Sequence, residues 1–202
     1  RSSVEKLFSR IHQKFGLLHI LVNSAAVNTA DYLEDIKQPD LEKVIDVNIK
    51  GDVYTTIMAI PLMKKASYGR LIYINSGSGL KASAVMSLYS ALKYFNRGFS
   101  ISAALEVGKY NITSNSICPS DIYPEGEMGA KSWTTPSLIR VSAEKEGVDT
   151  LEELIAKRRS KNPMKSSCTT EDVADLAAFL ASEKSGFING QSLGLNGGAI
   201  PY

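Results

Sequence analysis

Three shortages bound what this chain can be. Its two cysteines, Cys118 and Cys168, are too few for a disulfide framework and do not stand at metal-ligand spacing, so a stapled mini-fold and a zinc module are both excluded and a reducing compartment is expected. No uninterrupted apolar run approaches the roughly 18 residues of a membrane span, and no basic start with an apolar centre marks a secretory leader. Without such a leader the glycosylation sequon at Asn111 to Thr113 carries no weight. An excess of one charge is missing too: 23 Lys and Arg stand against 21 Asp and Glu, a net charge of +2, with both signs scattered. That balance gives no footing to nucleic acid or an anionic membrane. The expectation is a soluble, cytoplasmic protein whose partner is a small molecule.

What is present is enough chain, 202 residues, for one domain with a substantial core. The chain opens on Arg1 rather than Met and runs at once into a helix, with Val4, Leu7, Phe8, Ile11 and Phe15 at helical spacing and Ser2 three residues before Glu5 as a capping box. The expectation is therefore that a preceding segment has been removed. Gly16 ends the helix, and His19 to Val22 reads as a strand buried on both faces because its apolar run is continuous. The alternation then repeats. A helical stretch over about Leu41 to Lys65 precedes a strand at Leu71 to Ile74, and a helix from Ser87 to about Val107 precedes a strand from Ile112 to Cys118. Thr169 or Thr170 caps a helix facing inward through Val173, Leu176, Ala177 and Leu180, and Gln191 to Leu195 is the last strand. Strands separated by long helices demand parallel crossovers, hence an α/β fold with an open, doubly wound, Rossmann-like parallel sheet. The polar stretch 123–165 breaks the rhythm and brings its own helix, capped by Thr150 with Glu153; it reads as an insertion over the site.

Tyr89 and Lys93 lie four apart in a helical segment, so an ammonium can sit beside a phenol. A neighbouring cation favours phenolate and moves the phenol toward use as a general acid or base on a carbonyl or alcohol oxygen. By itself the spacing is weak, and a solvated helix face would explain it as well. Ser76 strengthens it, because it directly follows a buried strand and can meet the helix at the carboxyl edge of the sheet.

With these residues in place the chain resembles the short-chain dehydrogenase/reductase family, from the helix before the family's fourth strand to its end. Asn23-Ser24-Ala25-Ala26 is similar to the family's Asn-Asn-Ala-Gly, Asn48 falls at its catalytic asparagine, Ser76, Tyr89 and Lys93 match its signature group, and Asn115 to Ser120 resembles the Asn-x-Ile-x-Pro-Gly beside the nicotinamide. The resemblance implies an oxidoreductase using NAD or NADP, with hydride passing between nicotinamide and a carbonyl or secondary alcohol in a polyol, sugar or 3-oxoacyl substrate. Catalytic roles then fall to Asn48 (a water in a proton relay), Ser76 (polarising the substrate oxygen), Tyr89 (exchanging the proton) and Lys93 (lowering the phenol's pKa and holding ribose). Asn23, Ala25, Tyr89, Lys93, Pro119 and Ile122 are the expected cofactor contacts, Ser76 and Tyr89 the substrate contacts, and no metal is expected. Departures stand at Ser24, Ala26, Ser120 and Pro124, where the family usually has Asn, Gly, Gly and Thr. No glycine-rich turn precedes Arg1, so these residues are expected to be the carboxyl-terminal two-thirds of such a domain, truncated before the pyrophosphate loop and weak at binding dinucleotide alone. Family members assemble as dimers or tetramers through the tyrosine-bearing helix, which makes Phe95, Phe99, Ile101 and Leu105 candidates for core or interface.

Three rivals have sequence support. Gly190 to Gly194 matches a hydrolase nucleophile elbow but lies in a strand with no histidine after it, and Ser90-Ala91-Leu92-Lys93 and Ser78-Gly79-Leu80-Lys81 match Ser-x-x-Lys without its companion motifs. The stronger rival is a cofactor-degenerate binding or scaffold protein of the same fold. Intact acid–base residues argue against it. The run Lys157-Arg158-Arg159 suits either an anionic substrate or a solvated helix face.

Overall fold

The inner strands are covered by helices, and the long helical spacers force every neighbour to run parallel. The computed structural model describes residues 1–123 and 136–201, and side chains within 136–140 are not described. Four strands, β1 (Ile20–Asn23), β2 (Gly69–Ile74), β3 (Ile112–Pro119) and β4 (Ser192–Leu195), lie in the order β1-β2-β3-β4, all parallel. The register pairs Leu21 with Leu71, Leu71 with Ser114, and Ile117 with Leu193.

Helices α1 (Ser2–Phe15), α2 (Gln38–Val44), α3 (Gly51–Ala66), α4 (Ser87–Val107), α5 (Pro136–Glu146), α6 (Leu151–Lys161) and α7 (Thr170–Ala181) complete the described chain. One face of the sheet carries a core of Phe8 from α1, Ala59, Leu62 and Met63 from α3, Ala103 and Val107 from α4, and Leu71, Tyr73 and Ile112 from the strands. The opposite face packs Ile72 and Ile117 against Leu180, Val173, Leu176 and Ala177 of α7. Helices on both faces make the sheet doubly wound, as the alternation predicts. No helix among the described residues is long and apolar enough to cross a membrane.

Several local expectations are corrected. β1 is not buried on both faces: Ile20 and Val22 are 42% and 45% exposed, while α7 packs against Ile72 of β2 and Ile117 of β3. Ser2 does not cap α1; Arg1 occupies that position without a side-chain cap, and its guanidinium instead pairs with Glu5 at 2.7 Å. The stretch expected from Leu41 to Lys65 begins earlier, at Gln38, and is broken into α2, a π-helical turn at Ile45–Lys50, and α3. At α7 the cap is Thr169, whose hydroxyl accepts from the Asp172 N–H while the Asp172 carboxylate accepts from the Thr169 N–H. Thr150 accepts from the Glu153 N–H, but the Glu153 carboxylate reaches past it to the N–H of Asp149.

Candidate functional site

β2 runs into a buried asparagine, Asn75, that organises the turn beyond the strand. The Asn75 carboxamide accepts from the Ser76 N–H at 3.0 Å and donates to the backbone carbonyl of Lys93 at 3.1 Å, tying the strand end to the middle of α4. A short 3-10 turn, Gly77–Gly79, then begins with Ser76 as its cap, the hydroxyl accepting from the Ser78 N–H at 3.1 Å. The turn presses against α4 so closely that a Cβ on Gly79 would stand 2.8 Å from both Asn75 Oδ1 and the Lys93 carbonyl oxygen. Glycine is required there for close approach.

This frame brings Ser76 and Tyr89 within hydrogen-bond reach of one another. Tyr89 is half-buried, and burial pushes its phenol above the ordinary range; the hydrogen bond with Ser76 opposes that shift and the Asp121 carboxylate adds to it. The phenol is therefore protonated at neutral pH and poised as a donor. Lys93 is only 4% exposed; its Nζ donates to the Ile74 carbonyl at 3.0 Å and stands 5.6 Å from the centre of the Tyr89 ring. Burial lowers its pKa, and Asp52 pulls in the other direction. The expectation that the ammonium governs the phenol's acidity is modified here, since the cation faces a strand carbonyl and desolvation dominates at the hydroxyl.

Ser76, Tyr89 and Lys93 open into a cleft of about 840 Å³ at the carboxyl ends of the strands, walled by Ser24, Ala26, Pro119, Ile122 and Lys145 among others. Of the expected cofactor contacts, Pro119, Ile122, Tyr89 and Lys93 line it, while Asn23 and Ala25 do not. The Asn23 side chain turns into the protein, accepting from the Thr55 hydroxyl at 2.9 Å and reaching Thr56 at 3.5 Å. Asn48, 2% exposed on the π-helical turn, lies outside the cleft lining. Its carboxamide accepts from the Val27 N–H and donates to the Val27 carbonyl, both at 2.8 Å, and so holds the loop after β1 that walls the cleft. Pro124 lies outside the described residues, as does part of the 123–165 stretch. Asn115 pins the sheet rather than the site: it donates to Ile188 and accepts from the Gln191 N–H.

Nicotinamide and its ribose suit this pocket. Lys93 spends one of its three N–H donors on Ile74 and keeps two for hydroxyls, and the cleft is open at the strand ends where parallel sheets receive nucleotides. Of the run Lys157-Arg158-Arg159, Arg158 lines the cleft and meets Asp121 at 3.3 Å, while Lys157 bonds the Glu146 carbonyl and Arg159 donates to Ser167 at 2.9 Å. Cys118 is fully buried with its thiol pushed up to about 11, an inert apolar filler. Sequence reasoning passed over Asn75, Asp52 and Asn96. Only Asp52 left a trace, an acid one turn beyond Asn48 among mostly uncharged residues.

The chain matches the family model described as "short chain dehydrogenase" over residues 1–135 and that described as "Enoyl-(Acyl carrier protein) reductase" over residues 133–199. It is 33% identical over 197 residues to D-beta-hydroxybutyrate dehydrogenase of Rhizobium meliloti, covering 98% of this chain and 73% of that one. Among solved structures, sorbitol-6-phosphate 2-dehydrogenase from Erwinia amylovora superposes with a TM-score of 0.89 at 32% identity, covering 100% of this chain and 76% of the other. ElxO with NADP bound gives 0.80 at 30% identity, covering 98% and 73%.

Proposed function

Because the chain belongs to the short-chain dehydrogenase/reductase family of NAD(P)-dependent oxidoreductases, we propose that it interconverts a carbonyl and a secondary alcohol, with Tyr89 as the group that gives and takes the proton. The observation that carries this reading is the hydrogen bond between Ser76 and Tyr89 on the cleft floor, beside the buried Lys93. A substrate oxygen lodged between the two hydroxyls would accept a hydrogen bond from Ser76 while the Tyr89 phenol donates its proton. NAD or NADP, when bound, supplies or receives the hydride. Lys93 would hold the cofactor's ribose with its two remaining donors, and Pro119 and Ile122 would bound the nicotinamide. Asn48 acts at one remove by fixing the Val27 loop. The described part of the insertion would border the substrate through Ser142, Lys145 and Arg158.

Two relatives named for a 3-hydroxy acid and for a polyol phosphate support a substrate of 3-oxoacyl, sugar or polyol type. On α4, Leu105 is 83% exposed, whereas Phe95 stacks on Phe99 and Phe99 packs into the core; Leu105 is thus the expected centre of a homo-oligomeric contact. The test is NADH- and NADPH-dependent reduction of a panel of 3-oxo acids and keto sugars, followed by cofactor absorbance. Turnover is expected in the native protein and a loss of about 10²–10⁴-fold in Tyr89→Phe. Equal rates in the two would refute the role of Tyr89.

A further inference from the structure

Around Lys93 lies a buried polar layer whose members Asp52 and Asn96 have no part in the reaction above. Asp52 stands one turn beyond Asn48, and the π-helical turn before it packs against α4, where Lys93 and Asn96 lie three apart on one side. All four are buried, with exposures of 2% for Asn48, 6% for Asp52, 4% for Lys93 and 3% for Asn96. Asn96 hydrogen-bonds the Asp52 carboxyl, and its own carbonyl oxygen is buried with no partner among the described residues. That orientation presents the amide's donor to Asp52, as a carboxylate requires.

The charges around this layer leave Asp52 and Lys93 to each other. Among the described residues Lys93 is the cation acting on Asp52, and Asp52 is the first group supporting the lysine's charge against burial. From β2, Tyr73 faces Asp52 but is pushed up to about 12 and stays neutral. From β3, Cys118 faces Lys93 and is neutral as well, at about 11. Tyr89, from α4 itself, is also protonated. An ammonium so enclosed would lose its proton readily without an opposing charge.

We propose that Asp52 is a positioning residue for Lys93: its carboxylate, steered by Asn96, is the buried counter-charge that keeps the ammonium protonated and aligned beside the Tyr89 ring. This rests on the reading of Lys93 as the residue that holds the cofactor's ribose beside Tyr89. It extends that reading to a carboxylate on a neighbouring helix, which touches neither substrate nor cofactor.

The test is a pH titration of lysine side chains by ¹³Cε NMR on the whole protein, with Lys93 assigned by its absence from Lys93→Met. In Asp52→Asn the Lys93 midpoint is expected to fall by about one pH unit or more, a tenfold or greater loss of proton affinity. In Asn96→Leu the same direction and a smaller fall are expected. The native protein offers a reading that needs no variant: the Lys93 resonance should show a second inflection near pH 6, where Asp52 takes up its proton. An unmoved Lys93 midpoint in a folded Asp52→Asn, or a native titration with no inflection from the carboxyl, overturns the proposal. Because the titration uses neither cofactor nor substrate, it can fail while the Tyr89→Phe assay succeeds, and the reverse.

Discussion

Replacing Asp52 with asparagine keeps the shape of the side chain and removes its charge, so the pH dependence of stability reports the buried carboxylate together with its effect on Lys93. Burial raises the Asp52 pKa from 3.8 to about 6, with Lys93 and Asn96 opposing only in part. Between those two values the folded chain holds a proton that the unfolded chain has released. Native stability therefore falls as pH climbs through this window and levels off above it. At 1.36 kcal/mol for each tenfold change in proton affinity, the full effect is about 3 kcal/mol. The sign is opposite to that of Glu146 and Asp172, whose pKa values are lowered by Lys161 and Thr169 respectively and whose contribution is lost on acidification. Those two groups are shared by both proteins and cancel in the difference. Urea unfolding followed by circular dichroism, repeated at intervals from about pH 4 to pH 8, should show Asp52→Asn gaining on the native chain by up to about 3 kcal/mol as pH rises. Parallel stability curves across that range would refute the burial argument.

The same geometry predicts further outcomes. Gly79→Ala must push its Cβ against Asn75 Oδ1 and the Lys93 carbonyl at 2.8 Å, so reductase activity should collapse and unfolding free energy drop by about 1–3 kcal/mol, measured by turnover and denaturation. Asn48→Ala leaves the Val27 N–H and carbonyl without their partners, costing about 1–3 kcal/mol, and amide hydrogen exchange at Val27 should quicken while exchange in β2 does not. Leu154→Ala opens a cavity under α6, where the side chain is fully buried, and is expected to lower unfolding free energy by about 2–5 kcal/mol.

The parallel sheet was readable because Leu71 to Ile74 is a short apolar run and, like Ile112 to Cys118, is flanked by long helical segments, and strands alternating with such helices run parallel. Ser76, Tyr89 and Lys93 were readable as well, since the four-residue helical spacing and the position after a strand are local properties. What escaped depends on partners distant in sequence. The exposure of Ile20 and Val22 depends on what packs over β1 from elsewhere, which no run of residues near β1 records. The inward turn of Asn23 is decided by Thr55 and Thr56 on α3, and the clamp of Asn48 by Val27. Ser2 matched a cap in pattern, yet the helix begins one residue too early for its hydroxyl to serve. The π-helical turn has no compositional mark at all.

The Asn75 bridge separates two tasks that are easily confused. Because one carboxamide holds the Ser76 amide and the Lys93 carbonyl together by their main chains, the spacing of the reactive groups is set by an amino acid whose own side-chain bonds run to the backbone. The walls of the cleft are then free to diverge: a new loop sequence can admit a different alcohol without retuning the distance over which the proton moves.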